Sequence, residues 1–545
     1  MFLKMLICGA VVALLFLFPQ LWFLSYITLI PMIHLVITGV GEMKKRSAYK
    51  YGLAFGLGYY IVMYHWFLHF YALKDSEGIG AGAAIAVSLV CWLGLALIQA
   101  LEFGGVTLLY RIIKPNKEKP LLCGTVITVL WVVFEWQQTL FWRGVPFARL
   151  ALTQVSSLIS LQSASLFGNL FISALIVFVN VLLYIAIRAA HKRLDGSDVK
   201  AVFRSLKNKT TAVFALVALG IVVVNMVFGV IRMATLDTKR GEPIKAAVIQ
   251  SNISSLEKWS GFYNSLDTHM EMTIKCVQET GATLVVWPET VLPDEISRYG
   301  VIMSDLSNLA DSLDITLLVG SFDEKYVDGK RQEYNAIYLF YPDGKVSEQR
   351  YYKQRLVPFG EYNPIGPLLA LVPALDVLGV FNDSLTPGEG SQLLDSEYGK
   401  IGALICFDSI YEGIARKSVN DGASLITLST NDSWFSDSTA VYQHNRHAQL
   451  RAIENGRYIV RAGCTGISSF ISPTGEVIDS IPPLTKGYKT AEVYALNQRT
   501  VYSYIGDVFA YLCIGTVVGF ISYRISKNII EKRKKRDDSS KSEGL

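Results

Sequence analysis

Three residues in the polar stretch of this chain are of types that together can do covalent chemistry. Glu289 closes the run VVWPET, Lys353 lies in YYKQRLVPFGEYNP, and Cys406 closes IGALICFD. Glu289 and Cys406 end apolar, β-branched runs and Lys353 lies between them; strand ends of α/β sheets are where active sites collect. A carboxylate, an ammonium and a thiol form a workable set. The carboxylate accepts the thiol proton and the thiolate attacks a carbonyl carbon. The ammonium then holds the oxyanion, helped by a backbone N–H just after the cysteine. Spacing alone leaves blander readings open. A lone Cys at the end of an apolar strand is usually core filler. A Glu after Trp-Pro can cap a turn, and a Lys can be a solvated charge.

The elements that must position these residues are short strands. IKAAVIQ, ATLVVWPE, ITLLVGS, NAIYLFY, KIGALICFD, ASLITLSTN, RYIVRAG and SSFISPTG recur between polar, helical stretches such as Ser260–Gly281 and His444–Asn455. That alternation predicts a layered α/β domain. YPDGKV and SPTGEV read as hairpin turns.

The rest of the chain has a different composition. Of 545 residues 51% are hydrophobic and only 18% charged, with mean hydropathy +0.34. That charge deficit excludes a disordered chain and points to membrane spans. Apolar segments fall at 5–19, 22–40, 51–72, 83–110, 121–142, 163–188 and 211–232, with an eighth at 504–524. The start lacks an A-x-A-like cleavage site and a second apolar run follows at once, so it reads as a span rather than a signal peptide. Basic clusters follow the second, fourth, sixth and eighth spans: Lys44 to Lys50, Arg111 to Lys119, Arg188 to Lys209, and Lys532 to Arg536. The positive-inside rule then places both termini in the cytoplasm and the polar block outside. The organisation expected is a seven-span bundle over 1–234, a catalytic domain over 235–500, a last span over 501–526, and a basic cytoplasmic tail over 527–545 whose end, KKRDDSSKSEGL, is expected to be disordered.

Net charge is +5, without a basic stripe, so nucleic acid is set aside. Seven cysteines with no CxxC do not form a disulfide framework. Four of them, Cys8, Cys91, Cys123 and Cys513, lie in apolar runs. No HExxH occurs. His444 and His447, in QHNRHAQLRA, have helical spacing but no carboxylate at metal spacing, so neither a metal nor another cofactor is predicted.

WPET, YxKxxLVPFGE and ICFD, in that order, resemble the Glu–Lys–Cys triad of the nitrilase superfamily. VIQSNISSLEKWS, YNAIYLF, KQRLVPFGEYNP, STNDSWFSDS and QHNRHAQLRAIENGRYIVRAGCTGIS narrow the resemblance to its apolipoprotein N-acyltransferase branch. The resemblance implies an α-helical membrane bundle of about eight spans carrying an extracytoplasmic αββα nitrilase-like sandwich, in a bacterial inner membrane. It implies that Cys406 takes an acyl group from a phospholipid as a thioester and passes it to the amino-terminal, diacylglyceryl-modified cysteine of an apolipoprotein. Glu289 is then the general base, Lys353 the oxyanion ligand, and Glu361 a second carboxylate that holds Lys353 or aids proton transfer. Phe407, through its N–H, completes the oxyanion hole. Asp408, Asn335, Trp434, Phe435 and Trp259 are candidate substrate-binding residues. The chain is expected to act as a monomer.

The apolar segment 365–381 is expected to form a flap that dips into the outer leaflet. Glu102 and Glu135, in or near spans, are flagged as functional. Arg143 and Arg149 are candidate headgroup ligands. Two positions depart from the family pattern: Asp408 stands where Glu is usual, and Cys464 where Asn is common. The main rival is a membrane-tethered carbon–nitrogen hydrolase with the same triad, which would need neither eight spans nor an apolar flap. A lipid-binding protein on a dead scaffold sits poorly with an intact triad. A transporter sits poorly with spans that carry few charges and no repeat.

Overall fold

The computed structural model describes residues 1–75, 80–140, 144–191, 208–364 and 384–542. The expected flap at 365–381 and Arg143 lie outside the described residues.

A helical region comes first. Among the described residues, six helical stretches are long and apolar enough to cross a membrane: Pro19–Glu42, Ala81–Ile113, Pro120–Gln137, Asn169–His191, Lys209–Thr235 and Val508–Lys534. Phe2–Leu17 is shorter, and Lys45–Met63 carries three cations in its first six residues. These last two helices cross in backbone contact at glycines. A Cβ on Gly58 would lie 1.9 Å from the Leu6 carbonyl oxygen, and one on Gly9 2.0 Å from that of Phe55. Small residues at such crossings let helices approach where the solvent is as apolar as the side chains.

Three expected spans differ in detail. The third leaves α-helix at Met63 and continues as a 3-10 winding, His65–Asp75. Its Trp66 turns inward to pack on Phe67, Phe147 and Phe435. The sixth begins only at Asn169, because Gly168 is left-handed (φ +77°) and packs on the Tyr502 ring, where a Cβ would clash. The last helix does not end at the membrane. Its backbone runs from Val508 to Ser542, so the expected disordered tail is helical there. Good helix formers and a Lys527–Glu531 pair four residues apart account for this.

The α/β part is built on two sheets. The strands are β1 (Pro243–Gln250), β2 (Leu284–Val286), β3 (Leu292–Glu295), β4 (Thr316–Val327), β5 (Lys330–Phe340), β6 (Tyr351–Tyr352), β7 (Leu393–Ser396), β8 (Gly399–Ile405), β9 (Leu425–Thr430), β10 (Ile459–Gly463), β11 (Ser468–Ile471), β12 (Val477–Ile481) and β13 (Gly487–Tyr494). One sheet has the order β13-β1-β2-β4-β5-β6, with β3 also on β4; the other runs β12-β11-β10-β9-β8-β7. Each has a parallel centre and antiparallel edges. All eight runs read from the sequence are strands, and SPTGEV closes the β11–β12 hairpin with Gly475 at φ +84°. YPDGKV turns the chain between the antiparallel β5 and β6, closed by the Tyr341 N–H on the Lys345 carbonyl (2.8 Å) and the Phe340–Val346 bridge.

Side-chain alternation explains the layering. Ala246 and Val248 of β1 face Ala403 and Ile405 of β8 between the sheets. Ala247 and Ile249 face outward, under helices Phe262–Thr280 and Gly300–Leu313. On the opposite flank Ile426 and Leu428 of β9 lie under helices Glu412–Asn420 and Thr439–Asn455. These belong to one apolar cluster that continues into the membrane helices.

Candidate active site

The C-terminal ends of β2, β6, β8 and β9 open at one place. Glu289 lies three residues beyond β2 in a turn pressed onto β4. A Cβ on Gly320 would stand 2.2 Å from the Pro288 carbonyl oxygen, so only glycine fits. The Ser429 hydroxyl donates to the Trp287 carbonyl (2.9 Å) and ties this turn to the second sheet. Lys353 directly follows β6, and its backbone N–H donates to the Asn335 carbonyl (2.9 Å). Cys406 directly follows β8 and opens a 3-10 turn, Cys406–Ile410, with φ +46°.

The side chains form a compact ion cluster. Lys353 Nζ lies 2.8 Å from Glu289 Oε1 and 2.8 Å from Glu361 Oε1. Asn335 Nδ2 donates to the same two oxygens at 2.8 and 3.1 Å. The outer oxygens accept backbone N–H groups: Asn431 on Glu289 Oε2 and Val357 on Glu361 Oε2, both at 2.8 Å. Lys353 is 1% exposed. Burying the Lys353 ammonium and the Glu289 carboxylate is costly unless both are paired and hydrogen-bonded, as they are here. Burial alone would lower the Lys353 pKa, but Glu289 and Glu361 outweigh it and hold the ammonium well above its ordinary value. Burial, then Glu289, push the Cys406 thiol well above the usual thiol range, while Lys353 and the Thr430 hydroxyl oppose them. At rest the group is a thiol, so it needs a base before it can attack.

The fold thus brings Glu289, Lys353, Glu361 and Asn335 together beside Cys406. Asn335 links the two carboxylates through its Nδ2. The expectation for Asp408 is corrected. It is fully buried and both oxygens are engaged: Oδ1 by the N–H groups of Gln354 (3.2 Å) and Arg355 (2.8 Å), Oδ2 by the Tyr351 hydroxyl (2.8 Å) and the Ile405 N–H (3.1 Å). It straps the Lys353 loop to the Cys406 turn and has no oxygen left for a substrate. Burial pushes its pKa up to about 6, against Lys353, which lowers it.

Phe407 sits in the first residues of the 3-10 turn, where N–H groups lack partners within the turn. Its ring packs edge-on against Tyr411 at 5.5 Å. Trp434 (41% exposed) and Trp259 (59% exposed) are rim residues; Trp259 lies 5.8 Å from the Phe322 ring. Phe435 is half-buried between Trp66 and Phe70, so it joins the membrane helices to the site. Cys464 donates to the Glu289 carbonyl at 3.4 Å. Arg149 is not available to a headgroup: it is 1% exposed and pairs with Glu412 at 3.0 Å. Glu135 accepts from the Trp131 indole and the Leu150 N–H, both at 2.9 Å, and Glu102 accepts from Gln137 at 2.7 Å.

Several polar neighbours of the site had no clear mark in the sequence. Lys258, buried on the Ser255–Ser260 helix, donates to Thr290 Oγ1 at 2.5 Å. Asp432 lies 2.8 Å from His444 Nδ1, so the fold supplies the carboxylate that local spacing did not. Cys406, Asp432 and His444 place ligand atoms within 4.8 Å of one another. Both imidazole nitrogens and both Asp432 oxygens already have protein partners, so the arrangement is a hydrogen-bonded chain. The signal for it was an Arg, Arg461, inside an apolar strand run.

Comparison with known proteins divides the chain in two. Residues 8–182 match the family described as Apolipoprotein N-acyltransferase N-terminal domain, and residues 245–500 match Carbon-nitrogen hydrolase. The apolipoprotein N-acyltransferase of Geobacter metallireducens is 29% identical over 531 residues, 96% of this chain and 95% of that protein. Apolipoprotein N-acyltransferase 1 of Treponema denticola is 27% identical, covering 94% and 93%. The Rickettsia bellii apolipoprotein N-acyltransferase is 27% identical, covering 97% of each chain.

Proposed function

We infer, for a chain that belongs to the apolipoprotein N-acyltransferase family of the carbon–nitrogen hydrolase superfamily, that it N-acylates lipoproteins through a thioester on Cys406. The observation that carries this reading is the buried Glu289–Lys353–Glu361 cluster beside Cys406, in a chain that matches both parts of the family.

The reaction runs in two halves. Glu289 takes the Cys406 proton as sulfur attacks the ester carbonyl of a phospholipid. The oxyanion is met by Lys353 and the Phe407 N–H. Collapse breaks the ester C–O bond, and the lysophospholipid alkoxide leaves with the proton from Glu289. In the second half the α-amine of a diacylglyceryl-cysteine terminus attacks the thioester. Glu289 takes the amine proton and returns it to the departing thiolate. Loading needs no ATP, because the thioester lies close in free energy to the ester it came from. Transfer to an amine rather than to water needs a dry site beside lipid.

The membrane arrangement follows the same reading. The six long apolar stretches plus Phe2–Leu17 and Lys45–Met63 make eight crossings. The basic loops place both termini in the cytoplasm and the sandwich on the extracytoplasmic face of the inner membrane. Bundle 1–234, catalytic domain 235–500 and last span 501–526 then act as one monomer, with a phospholipid donor and an apolipoprotein acceptor.

The test is an intact-mass spectrum of the detergent-purified protein, before and after adding a diacylglyceryl-cysteine peptide. A fatty-acyl mass on Cys406, released by neutral hydroxylamine and chased onto the peptide amine, is expected. A Cys406 that stays bare with phospholipid present overturns the reading in favour of a tethered hydrolase.

A further inference from the structure

The nucleophile sits in a strained turn that something must hold. Cys406 has φ +46°, a region that non-glycine residues occupy only when their surroundings fix them. Its carbonyl accepts from the Ser409 hydroxyl at 2.8 Å and lies 3.0 Å from His444 Nε2. Ser409 Oγ is 2.9 Å from the same nitrogen. On the other edge of the ring, Nδ1 lies 2.8 Å from Asp432 Oδ1. Asp432 Oδ2 accepts from Arg461 Nη2 at 2.8 Å, and Arg461 Nη1 donates to the Ile467 carbonyl. His444, Asp432 and Arg461 are all buried.

We propose that His444 is a positioning residue for the nucleophile, whose Nε2–H grips the Cys406 carbonyl and fixes the turn presenting the thiol. The inference rests on the reading of Cys406 given above. It follows from which atoms have protons to give. A carbonyl oxygen has only lone pairs, so Nε2 at 3.0 Å must carry hydrogen. Ser409 gives its single proton to that carbonyl and accepts from Nε2. Burial would raise the Asp432 carboxyl, but His444 and Arg461 outweigh it and keep it ionised. Its Oδ1 holds the Nδ1 edge of the ring at 2.8 Å.

Several elements close in on the ring. Arg461 Nη2 lies 3.3 Å from Nδ1. Thr430 Oγ1 adds a bond to Asp432 Oδ1 at 3.3 Å. On the same helix, Arg451 is paired with Glu454 and Glu412. Burial, then Arg451 and His444, push the His447 pKa well down, so that ring is neutral; its Nε2 faces the Phe147 carbonyl at 3.2 Å.

The test uses the full chain in detergent with His444→Ala and His444→Gln. Glutamine keeps a neutral donor near the Nε2 position; alanine keeps none. Two quantities are read: the rate of acyl loading of Cys406 from phospholipid, and the pH profile of Cys406 alkylation by iodoacetamide. Alkylation is scored on the Cys406 peptide, so Cys464 does not contribute. Alanine is expected to slow loading about 10²-fold, the size of effect a misplaced reacting atom produces, and glutamine to recover about tenfold of that. Both variants are expected to shift the alkylation profile, alanine more than glutamine, because the turn sets the thiol against Glu289 and Lys353. Alkylation profiles that coincide with the parent, or alanine loading within about threefold of it, would overturn the proposal. If alanine does not fold, glutamine carries the test through the same profile. If the parent itself never loads an acyl group, the transfer reading fails, while the alkylation profile still decides the role of His444.

Discussion

Two helical layers flank one sandwich, and they solve different problems. On the first sheet, helix Phe262–Thr280 buries Ser265, Leu266, His269, Met272, Thr273 and Cys276, a stripe at spacings of three and four. Its other face is solvated, and it ends where Gly281 turns left-handed and donates to the Val277 carbonyl. On the second sheet, helix Thr439–Asn455 buries fourteen of its seventeen residues, eight of them polar or charged. It lies between the sheet and the membrane helices. Arg451 pairs with Glu454 along the helix itself, and the membrane side supplies Asn169 to Glu454 and the Phe147 carbonyl to His447. Glu412 on the neighbouring helix takes Arg149. One layer is amphipathic in the ordinary sense. The other is polar and buried, and it makes sense only once the bundle is docked on it.

The sharpest way to break this comparison is to remove a charge from each layer. Arg149→Met leaves Glu412 buried beside Glu454 without its partner, and is expected to cost about 3–5 kcal/mol. That should appear as a large drop in thermal midpoint in micelles. Lys353→Ala tests whether the site can fail while the docking layer stays whole. Acyl loading should fall about 10²–10³-fold, measured by mass spectrometry on protein that still extracts as a folded monodisperse species. A loss under about tenfold would remove Lys353 from the oxyanion role.

Inside the bundle the contrast is between glycines. Gly58→Ala drives a Cβ to 1.9 Å from the Leu6 carbonyl oxygen, whereas nothing stands within 4 Å of a Cβ on Gly94. The first should cost about 1–3 kcal/mol and the second should be silent or mildly stabilising, both read as thermal midpoints. The smallest effect belongs to the solvated layer. Lys275 and Glu279 pair at 3.9 Å with side chains 67% and 53% exposed. Lys275→Ala should change stability by no more than about 0.5 kcal/mol. A larger loss there would mean that this face is covered too.

The same contrast explains what the sequence could and could not tell. The eight β-branched runs are all strands because strand burial writes itself into local pattern. The β4–β5 hairpin was equally readable but was not among the turns read above: Asp328 and Gly329 at its tip have φ +51° and +74°, the same Asp-Gly signal as in YPDGKV. The triad and Glu361 came from long motifs around strand ends. Arg149 could not be read. An arginine beside an apolar segment looks interfacial, and its partner Glu412 lies 263 residues away, where no periodicity points. Asp408 was misassigned for a related reason. Its four donors come from both sides of the Lys353 loop and the β8 end, a convergence that exists only in three dimensions. The break before Asn169 depends on Tyr502, also far along the chain.

The bond between Arg149 and Glu412 has a consequence for inheritance. It joins two stretches of the gene 263 codons apart, and a change at either strands a charge until the other follows. The segment around Arg149 and the helix around Glu412 should therefore drift together among descendants of this chain. A chimera that grafts the bundle of one relative onto the sandwich of another should assemble only when that pair is carried across intact.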